Sequence, residues 1–570
     1  MTYRAPVSEY QFIFDHVVDF SKLLKSPAFA ELDAETVAAI LEEAGKLASD
    51  VIAPLDRGGD LHPAVLEDGV VHTSPGFAEG IARIAEGGWI GMLAQEANGG
   101  LGLPLAVATA VNEMMAGACL SLSLQPLMTQ GQIEALEHHA SEELCALYIP
   151  KLISGDWCGT MNLTESGAGS DVGALTTRAE RNGDGTYRIT GQKIFITWGD
   201  NDFAENVCHL VLARLPDGGP GTKGISLFMV PKFLPDAEGK AGARNSLHVV
   251  SLEHKLGIHG SPTCVMQYDG ATGWLVGEEH EGMRCMFTMM NNARLGVAVQ
   301  GVGVAEAATQ KALAYAVERV QGRSPLGREG AGIIDHADVR RMLATMRAET
   351  YVARAISLAC GVALDLGRTE PEQQARGAFL IPVAKAFSTD IGHEVAQTGV
   401  QVHGGMGFVE EAGAAQYARD ARITSIYEGT NGIQAMDFVG RKLADGGEAA
   451  FALLDEIESF AEAARATLPK RAKAVWDAAE TLREATEEMV ALPLNDRFAG
   501  AVPFLRAFAR VLGGHFHLKA AIAEGGAGPR ARLADFYIKR MLPEHVALLA
   551  QARLGAADIY ALSAEDLAAP

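Results

Sequence analysis

The sequence predicts a mostly α-helical protein with a β unit at its centre and further helices beyond it. Three observations predict this. Apolar residues recur at helical spacing from Val37 through Ile40, Leu41, Ala44, Leu47 and Ala48 to Val51. Between Tyr187 and Tyr268 the pattern shortens into runs rich in Val, Ile and Phe, punctuated by Gly-Pro and Asp-Gly. From Glu281 the helical period returns and holds to about Gly440. A chain of 570 residues is too long for one core. The expected divisions are an extension over 1–32, a helical domain over 33–156, a β domain over 157–280, a four-helix-type domain over 281–445 and an extra helical domain over 446–570.

In the extension, Tyr10, Phe12, Phe14, Val17, Val18 and Phe20 crowd one helix-like segment that is too apolar to float free and should pack on the body. Asp33 is the expected N-cap of the next helix and Pro54 marks its end. Helical patterns continue over Leu105 to Ala118 and Ser141 to Ile153. Strands are expected at Tyr187–Thr197, Val207–Leu215, Ile225–Phe233 and Thr263–Tyr268, forming a small, mostly antiparallel barrel or sandwich. The returning helices should break only at a glycine-rich loop near Gly327 to Gly332. In the tail, Leu453, Leu454, Ile457 and Phe460 mark one amphipathic helix, and Val502, Leu505, Phe508 and Leu512 another. Arg506, Arg510, His515, His517 and Lys519 in that second helix read as a solvated face, with membrane or partner contact as the alternative.

The formal net charge of −23 argues against nucleic-acid binding, which needs clustered Lys and Arg. Cys119, Cys145, Cys158, Cys208, Cys264, Cys285 and Cys360 are scattered and never form Cys-x-x-Cys, so neither a disulfide framework nor a metal site is indicated. The opening residues carry no apolar signal region, and no apolar run is long enough to span a bilayer. A cytoplasmic protein without stable membrane contact is expected.

Three segments carry chemistry. In Arg422-Ile423-Thr424-Ser425-Ile426-Tyr427-Glu428-Gly429-Thr430-Asn431-Gly432, a carboxylate precedes a stretch where backbone bends freely, so it can be aimed into a cleft. Alone, such a Glu is more often a solvated helix end than a catalytic base. Upstream stands Leu163-Thr164-Glu165-Ser166-Gly167-Ala168-Gly169-Ser170-Asp171, and just before the carboxylate stands Gln401-Val402-His403-Gly404-Gly405-Met406-Gly407-Phe408. No Gly-x-Gly-x-x-Gly follows a strand, so a Rossmann-type site is not supported.

In this order the three segments resemble the signature segments of the acyl-CoA dehydrogenases, flavoproteins that place a trans double bond between Cα and Cβ of an acyl-CoA thioester. The resemblance runs from about Asp33 to Lys442 and implies FAD as cofactor. It implies that Glu428 takes the α proton, and that its backbone N–H and a flavin ribityl hydroxyl bind the thioester carbonyl. A carboxylate desolvated by acyl chain and flavin should have a raised pKa. Met161, Leu163 and Thr164 would line the flavin edge, Phe195 to Thr197 would back the ring, and Thr430 would join the cofactor set. Ser170 would reach cofactor or substrate phosphates. Arg319 would meet the FAD phosphates of a neighbouring subunit, with Gln401, Gly404 and Gly405 receiving its adenine half, so the active protein is not a monomer. Arg294 would lie near the CoA thioester or position the base.

Two departures from the family pattern stand out. Met161 occupies a position where the family often has an aromatic residue, and Gly322-Arg323-Ser324-Pro325-Leu326-Gly327 replaces the usual aromatic-glycine run, leaving Arg323 as an alternative phosphate ligand. Some branched-chain members carry the base just before the equivalent of Arg294, but Asn291-Asn292-Ala293 offers no carboxylate there. Glu165 and Asp171 should shape the turn, His403 should be structural, and Arg419 to Arg422 should form structural ion pairs. The opening Tyr3-Arg4-Ala5-Pro6 and the long tail resemble a long bacterial subgroup of the family. This implies a short-to-medium-chain acyl-CoA substrate, 3-methylthiopropionyl-CoA of dimethylsulfoniopropionate breakdown among the candidates. It also implies an electron-transfer flavoprotein as acceptor and a homodimer whose tail covers the surface that pairs dimers in tetrameric relatives. An oxidase passing electrons to oxygen, and a non-catalytic DNA- or membrane-associated flavoprotein of the same fold, stand as alternatives.

Overall fold

The computed structural model describes residues 3–569. Helix Val7–His16 buries Tyr10 and Ile13 completely, so the extension packs on the body as its apolar crowding predicts. Arg530 of the tail lies over the Phe12 ring and donates to Glu9, clamping the extension between body and tail. Asp33 caps helix Ala34–Lys46 by accepting from the Thr36 N–H at 2.7 Å. Helices Leu105–Ala118, Leu120–His139 and Glu142–Ile153 follow, the last capped by Ser141.

Seven strands form the central sheet. Thr263–Val276 pairs with Tyr187–Thr197, which pairs with Arg178–Arg181. Arg178–Arg181 meets Asn206–Arg214, which pairs with Ile225–Pro231, and that strand returns to Thr263–Val276. The circuit therefore closes as a barrel around Ile189, Val211, Phe228 and Tyr268. Leu247–Leu252 adds an antiparallel edge, and Trp157–Asn162 a parallel one beside Asn206–Arg214. The strand at 157–162 carries no alternation because it is buried on both faces.

Long helices Gly282–Glu318, Ala337–Leu366 and Pro371–His403 form the next layer, with Ala414–Ala421 and Asn431–Gly440 after them. The first and third run parallel. Gly392 meets Gly301 so closely that a Cβ on Gly392 would lie 2.7 Å from the Gly301 carbonyl oxygen, Gly399 faces Ala308, and the His403 ring stacks on Tyr315 at 4.5 Å. Beyond the expected break near Gly327, the layer breaks again between His403 and Ala414 and between Ala421 and Asn431, where the motif loops lie.

The tail is helical, and its longest helix, Leu494–Ala523, packs on Ala337–Leu366, Pro371–His403 and Asn431–Gly440. Leu505, Phe508 and Leu512 face inward as expected, while Val502 stays exposed. The reading of Arg506 to Lys519 as a solvated face is overturned. Arg510, His515 and His517 are buried. Arg510 donates from Nη1 to Glu349 and from Nε to Glu544, each at 2.5 Å, and Arg506 donates to Glu394. The polar residues turn inward because their partners come from distant helices.

Candidate active site

The sequence-predicted site residues fall into three clusters. The first sits on the barrel. Met161 lies next to the end of strand Trp157–Asn162, and Leu163 and Thr164 follow the strand. Ile194 donates its N–H to the Thr164 carbonyl at 2.9 Å, and Thr160 Oγ1 donates to the Thr197 carbonyl at 2.8 Å, which knits the two segments side by side. Opposite Phe195 the pairing with Thr263–Val276 slips by a bulge. The bulge holds Phe195 at φ 59° and leaves it 59 % exposed. Met161, Thr164 and Thr197 are half-buried and Ser170 is exposed. Underneath, Lys193 donates to the Leu163 carbonyl at 2.9 Å and to Glu165 Oε1 at 2.8 Å, and Glu165 also accepts from the N–H and hydroxyl of both Thr176 and Thr177. Glu165 is thus fully engaged in shaping the loop.

The second cluster surrounds Glu428. This residue is held at φ 55°, a left-handed conformation that a non-glycine residue adopts only when its surroundings impose it. Thr430 caps helix Asn431–Gly440 through the Ile433 N–H, and Gln434 Nε2 returns to the Glu428 carbonyl at 3.3 Å. Tyr427 donates its hydroxyl to Gln300. Lys385, fully buried, donates from Nζ to the Gly429 carbonyl at 2.8 Å and to Asn431 Oδ1 at 2.9 Å. Burial pushes the Glu428 carboxyl above the usual carboxylate range, against the opposing pull of Arg294 and Lys385. Burial likewise lowers the Arg294 guanidinium, whose Nε has no hydrogen-bond partner, and brings Lys385 down to about 8.

The third cluster lies at the far end of the parallel helices. Arg319 caps Gly282–Glu318 and is exposed, with no ion-pair partner among the described residues. Gln401, Gly404 and Gly405 are exposed at the end of Pro371–His403, and open space surrounds the Cβ positions of both glycines. His403 is buried and bonds the Gly399 carbonyl through Nδ1, a structural role. From Arg294 to Arg319 the chain advances 319 − 294 = 25 residues, about 38 Å at a helical rise of roughly 1.5 Å per residue. The third cluster is therefore remote from Glu428 of its own chain. Nearby, the loop after Gln321 is pinned on Asp335, which accepts from Ser324 at 2.6 Å and pairs with Arg328, while Arg323 is exposed. Elsewhere Arg419 pairs with Asp60 and Glu410 as expected, but Asp420 accepts the Ile258 N–H instead of an arginine, and Arg422 donates to Ser425.

The residues present fit FAD. An exposed aromatic ring, half-buried threonines on adjacent segments and an unfilled glycine turn are surfaces that a planar ring system and its phosphate tail would cover. The sequence reading missed Lys385, Asp390 and Gln300 around Glu428, and Lys193 beneath Leu163. A lysine inside the apolar run Phe379-Leu380-Ile381-Pro382-Val383-Ala384-Lys385-Ala386-Phe387 was the available signal.

This fold and site define an acyl-CoA dehydrogenase. The chain matches the N-terminal, middle and C-terminal acyl-CoA dehydrogenase domain families at residues 32–156, 160–271 and 280–443, and an acetyl-CoA dehydrogenase C-terminal-like family at 453–563. It belongs to the acyl-CoA dehydrogenase family and is an FAD-dependent oxidoreductase acting on acyl-CoA. It is 45 % identical to the 3-methylmercaptopropionyl-CoA dehydrogenase of Ruegeria pomeroyi over 89 % of this chain and 88 % of that one. It is 35 % identical to a broad-specificity linear acyl-CoA dehydrogenase of Mycobacterium tuberculosis, over 81 % and 78 %. In fold it resembles Caenorhabditis elegans ACDH-11, solved with C11-CoA (TM-score 0.78, 22 % identity, 94 % and 91 % coverage), and an acyl-CoA dehydrogenase of Bacillus anthracis solved with FAD (TM-score 0.75, 20 % identity, 99 % and 95 %).

Proposed function

We propose that Glu428 is the base that removes the α proton of a short-to-medium-chain acyl-CoA, 3-methylthiopropionyl-CoA foremost, giving the trans-2-enoyl-CoA. The observation that carries this reading is the Glu428 carboxylate itself, presented from a left-handed backbone and raised by burial. A raised carboxyl is a stronger base once ionised, and it sits closer to the α proton's acidity. In this reading the Glu428 N–H binds the thioester carbonyl, and Arg294 acts electrostatically on the same carboxylate. Bound at this site, FAD would supply the acceptor for the Cβ hydride, while Glu428 takes the proton from Cα. Met161, Leu163, Thr164, Ser170, Phe195, Thr197 and Thr430 would hold the flavin half, with Ser170 and Arg294 also toward the CoA ester. The 45 % identity to a 3-methylmercaptopropionyl-CoA dehydrogenase supports the methylthio substrate.

The remoteness of Arg319, Gln401, Gly404 and Gly405 from Glu428 supports their serving the FAD of a second copy, hence a homodimer. Reoxidation by an electron-transfer flavoprotein and a cytoplasmic setting complete the reading. Seven unpaired cysteines and the absence, among the described residues, of any helix long and apolar enough to cross a membrane are compatible with it.

The test is anaerobic mixing of the FAD-loaded enzyme with a panel of saturated acyl-CoAs, following flavin bleaching in wild type and Glu428→Gln. Bleaching by 3-methylthiopropionyl-CoA or a neighbour in chain length, slowed about 10³-fold in the variant, is expected. Equal bleaching in both proteins would remove Glu428 from the mechanism.

A further inference from the structure

Lys385 is buried to 0 % exposure, yet among the described residues no carboxylate stands within ion-pair distance of it. A buried ammonium without a directly paired anion is costly unless something nearby uses its charge. Its hydrogen bonds go to neutral groups, the Gly429 carbonyl at 2.8 Å and Asn431 Oδ1 at 2.9 Å, in the turn that directly follows Glu428. Asn431 is itself fixed on the same helix as Lys385, donating from Nδ2 to the Ala386 carbonyl, to Thr389 Oγ1 at 3.0 Å and to Asp390 Oδ1 at 2.7 Å. The strained turn that presents Glu428 is therefore tied to helix Pro371–His403 by Lys385 at the Gly429 carbonyl and by the Asn431 side chain.

We propose that Lys385 is a positioning residue for Glu428: its ammonium fixes the turn through Gly429 and Asn431, and supplies a positive charge at neutral pH that sets how readily the base ionises. The proposal rests on the reading of Glu428 as the base.

The charges around the pair come from each packed element. Arg294 of helix Gly282–Glu318 and Lys385 act on Glu428 from the positive side. Asp390 of the lysine's own helix acts on Lys385, and Glu394 and Arg506 act on Asp390, the last from the tail. Asp437 and Arg441 act on Arg294. Tyr427 feels Glu428 directly. Among these, Lys385 is the cation that also holds the turn by hydrogen bonds. The sign of its effect follows: withdrawing a positive charge from beside a carboxylate raises that carboxylate's pKa.

The experiment compares FAD-loaded wild type with Lys385→Gln, which keeps a donor but no charge, Lys385→Met, which keeps neither, and Lys385→Arg, which keeps the charge. Two readouts are taken. One is the pH profile of the flavin-reduction rate. The other is the carboxyl stretching band of Glu428 in infrared difference spectra against Glu428→Gln, which follows ionisation without turnover. In Lys385→Gln both should titrate about one unit higher than wild type. Lys385→Met should add a lower limiting rate at high pH, with KM changed less than kcat, and Lys385→Arg should return the profile toward wild type. Asn431→Ser, which loosens the turn while keeping the lysine's charge, should lower the limiting rate and leave the titration in place. An unshifted band and profile in Lys385→Gln would overturn the proposal, as would loss of rate in Asn431→Ser accompanied by the same pKa shift. Undiminished reduction in Glu428→Gln would instead sink the base assignment, so the two failures are distinct.

Discussion

Lys193 and Glu165 form an ion pair of 2.8 Å inside the barrel wall, and together they hold the segment that carries Leu163 and Thr164. Burial alone would raise the Glu165 carboxyl, but Lys193 and the Thr176 and Thr177 hydrogen bonds outweigh it and bring it to about 2. Burial draws Lys193 down to about 8. Lys193→Met would strand a buried carboxylate, so a loss of about 3–5 kcal/mol is expected in urea denaturation at pH 7. The Glu165 term has a defined sign with pH. Its folded pKa lies below the unfolded value of about 4.3, so its stabilisation is full above that value and is lost as pH falls toward 2. Acid unfolding of Glu165→Gln should therefore lack part of the wild-type slope in that window.

Arg354 joins three helices in the interior. It donates from Nη2 to Glu113 at 2.7 Å and to Glu306 at 2.9 Å, and all three side chains are buried. Arg347 donates to Glu306 as well. Glu306 is held at about 2 despite burial because two arginines face it, whereas burial wins at Glu113 and raises it. Arg354→Met should cost about 3–5 kcal/mol, and Arg354→Met with Glu113→Gln should recover part of that, because the neutral amide costs less to bury than an unpaired carboxylate. Chemical denaturation of the single and double variants measures the difference.

Gly404 and Gly405 separate backbone strain from occupied space. Gly404 stands at φ 60°, ψ −138°, whereas Gly405 lies outside the left-handed region, and neither has an atom within 4 Å of a Cβ. Gly404→Ala should lower stability by about 1–3 kcal/mol through strain alone. Gly405→Ala should leave the melting temperature in place. If the adenine half of a second copy's FAD rests there, it should still weaken flavin retention on gel filtration.

Much of this was legible in sequence, and the exceptions share a cause. The helix cap at Asp33 and the barrel strands at 187–197 and 206–214 follow from local signals, because caps, alternation and punctuation act over a few residues. The apolar run around Lys385 marks the lysine but not its role, because its partners, Gly429 and Asn431, lie 44 and 46 residues away. Arg510 looked solvated for the same reason, its Glu349 lying 161 residues upstream. Charge compensation at long range is set by packing, and no local period encodes it.

The same packing makes the tail inseparable from the body. Phe508 of the long tail helix contacts Phe379 edge-on at 5.1 Å and Phe438 at 5.7 Å, and Phe504 reaches Phe438 at 5.8 Å. Phe438 lies on helix Asn431–Gly440, which begins three residues after Glu428. Phe508→Ala should cost about 3–5 kcal/mol by opening a cavity in this cluster. Because the cavity lies behind the helix that supports the Glu428 turn, the limiting rate of flavin reduction should also fall, with stability and rate measured on the same preparation. Removing residues 447–570 altogether would uncover Phe379 and Phe438 and take Arg510 away from Glu349. That truncation should yield insoluble protein, and a soluble, FAD-loaded product that still reduces its flavin would show that the tail is dispensable for the fold.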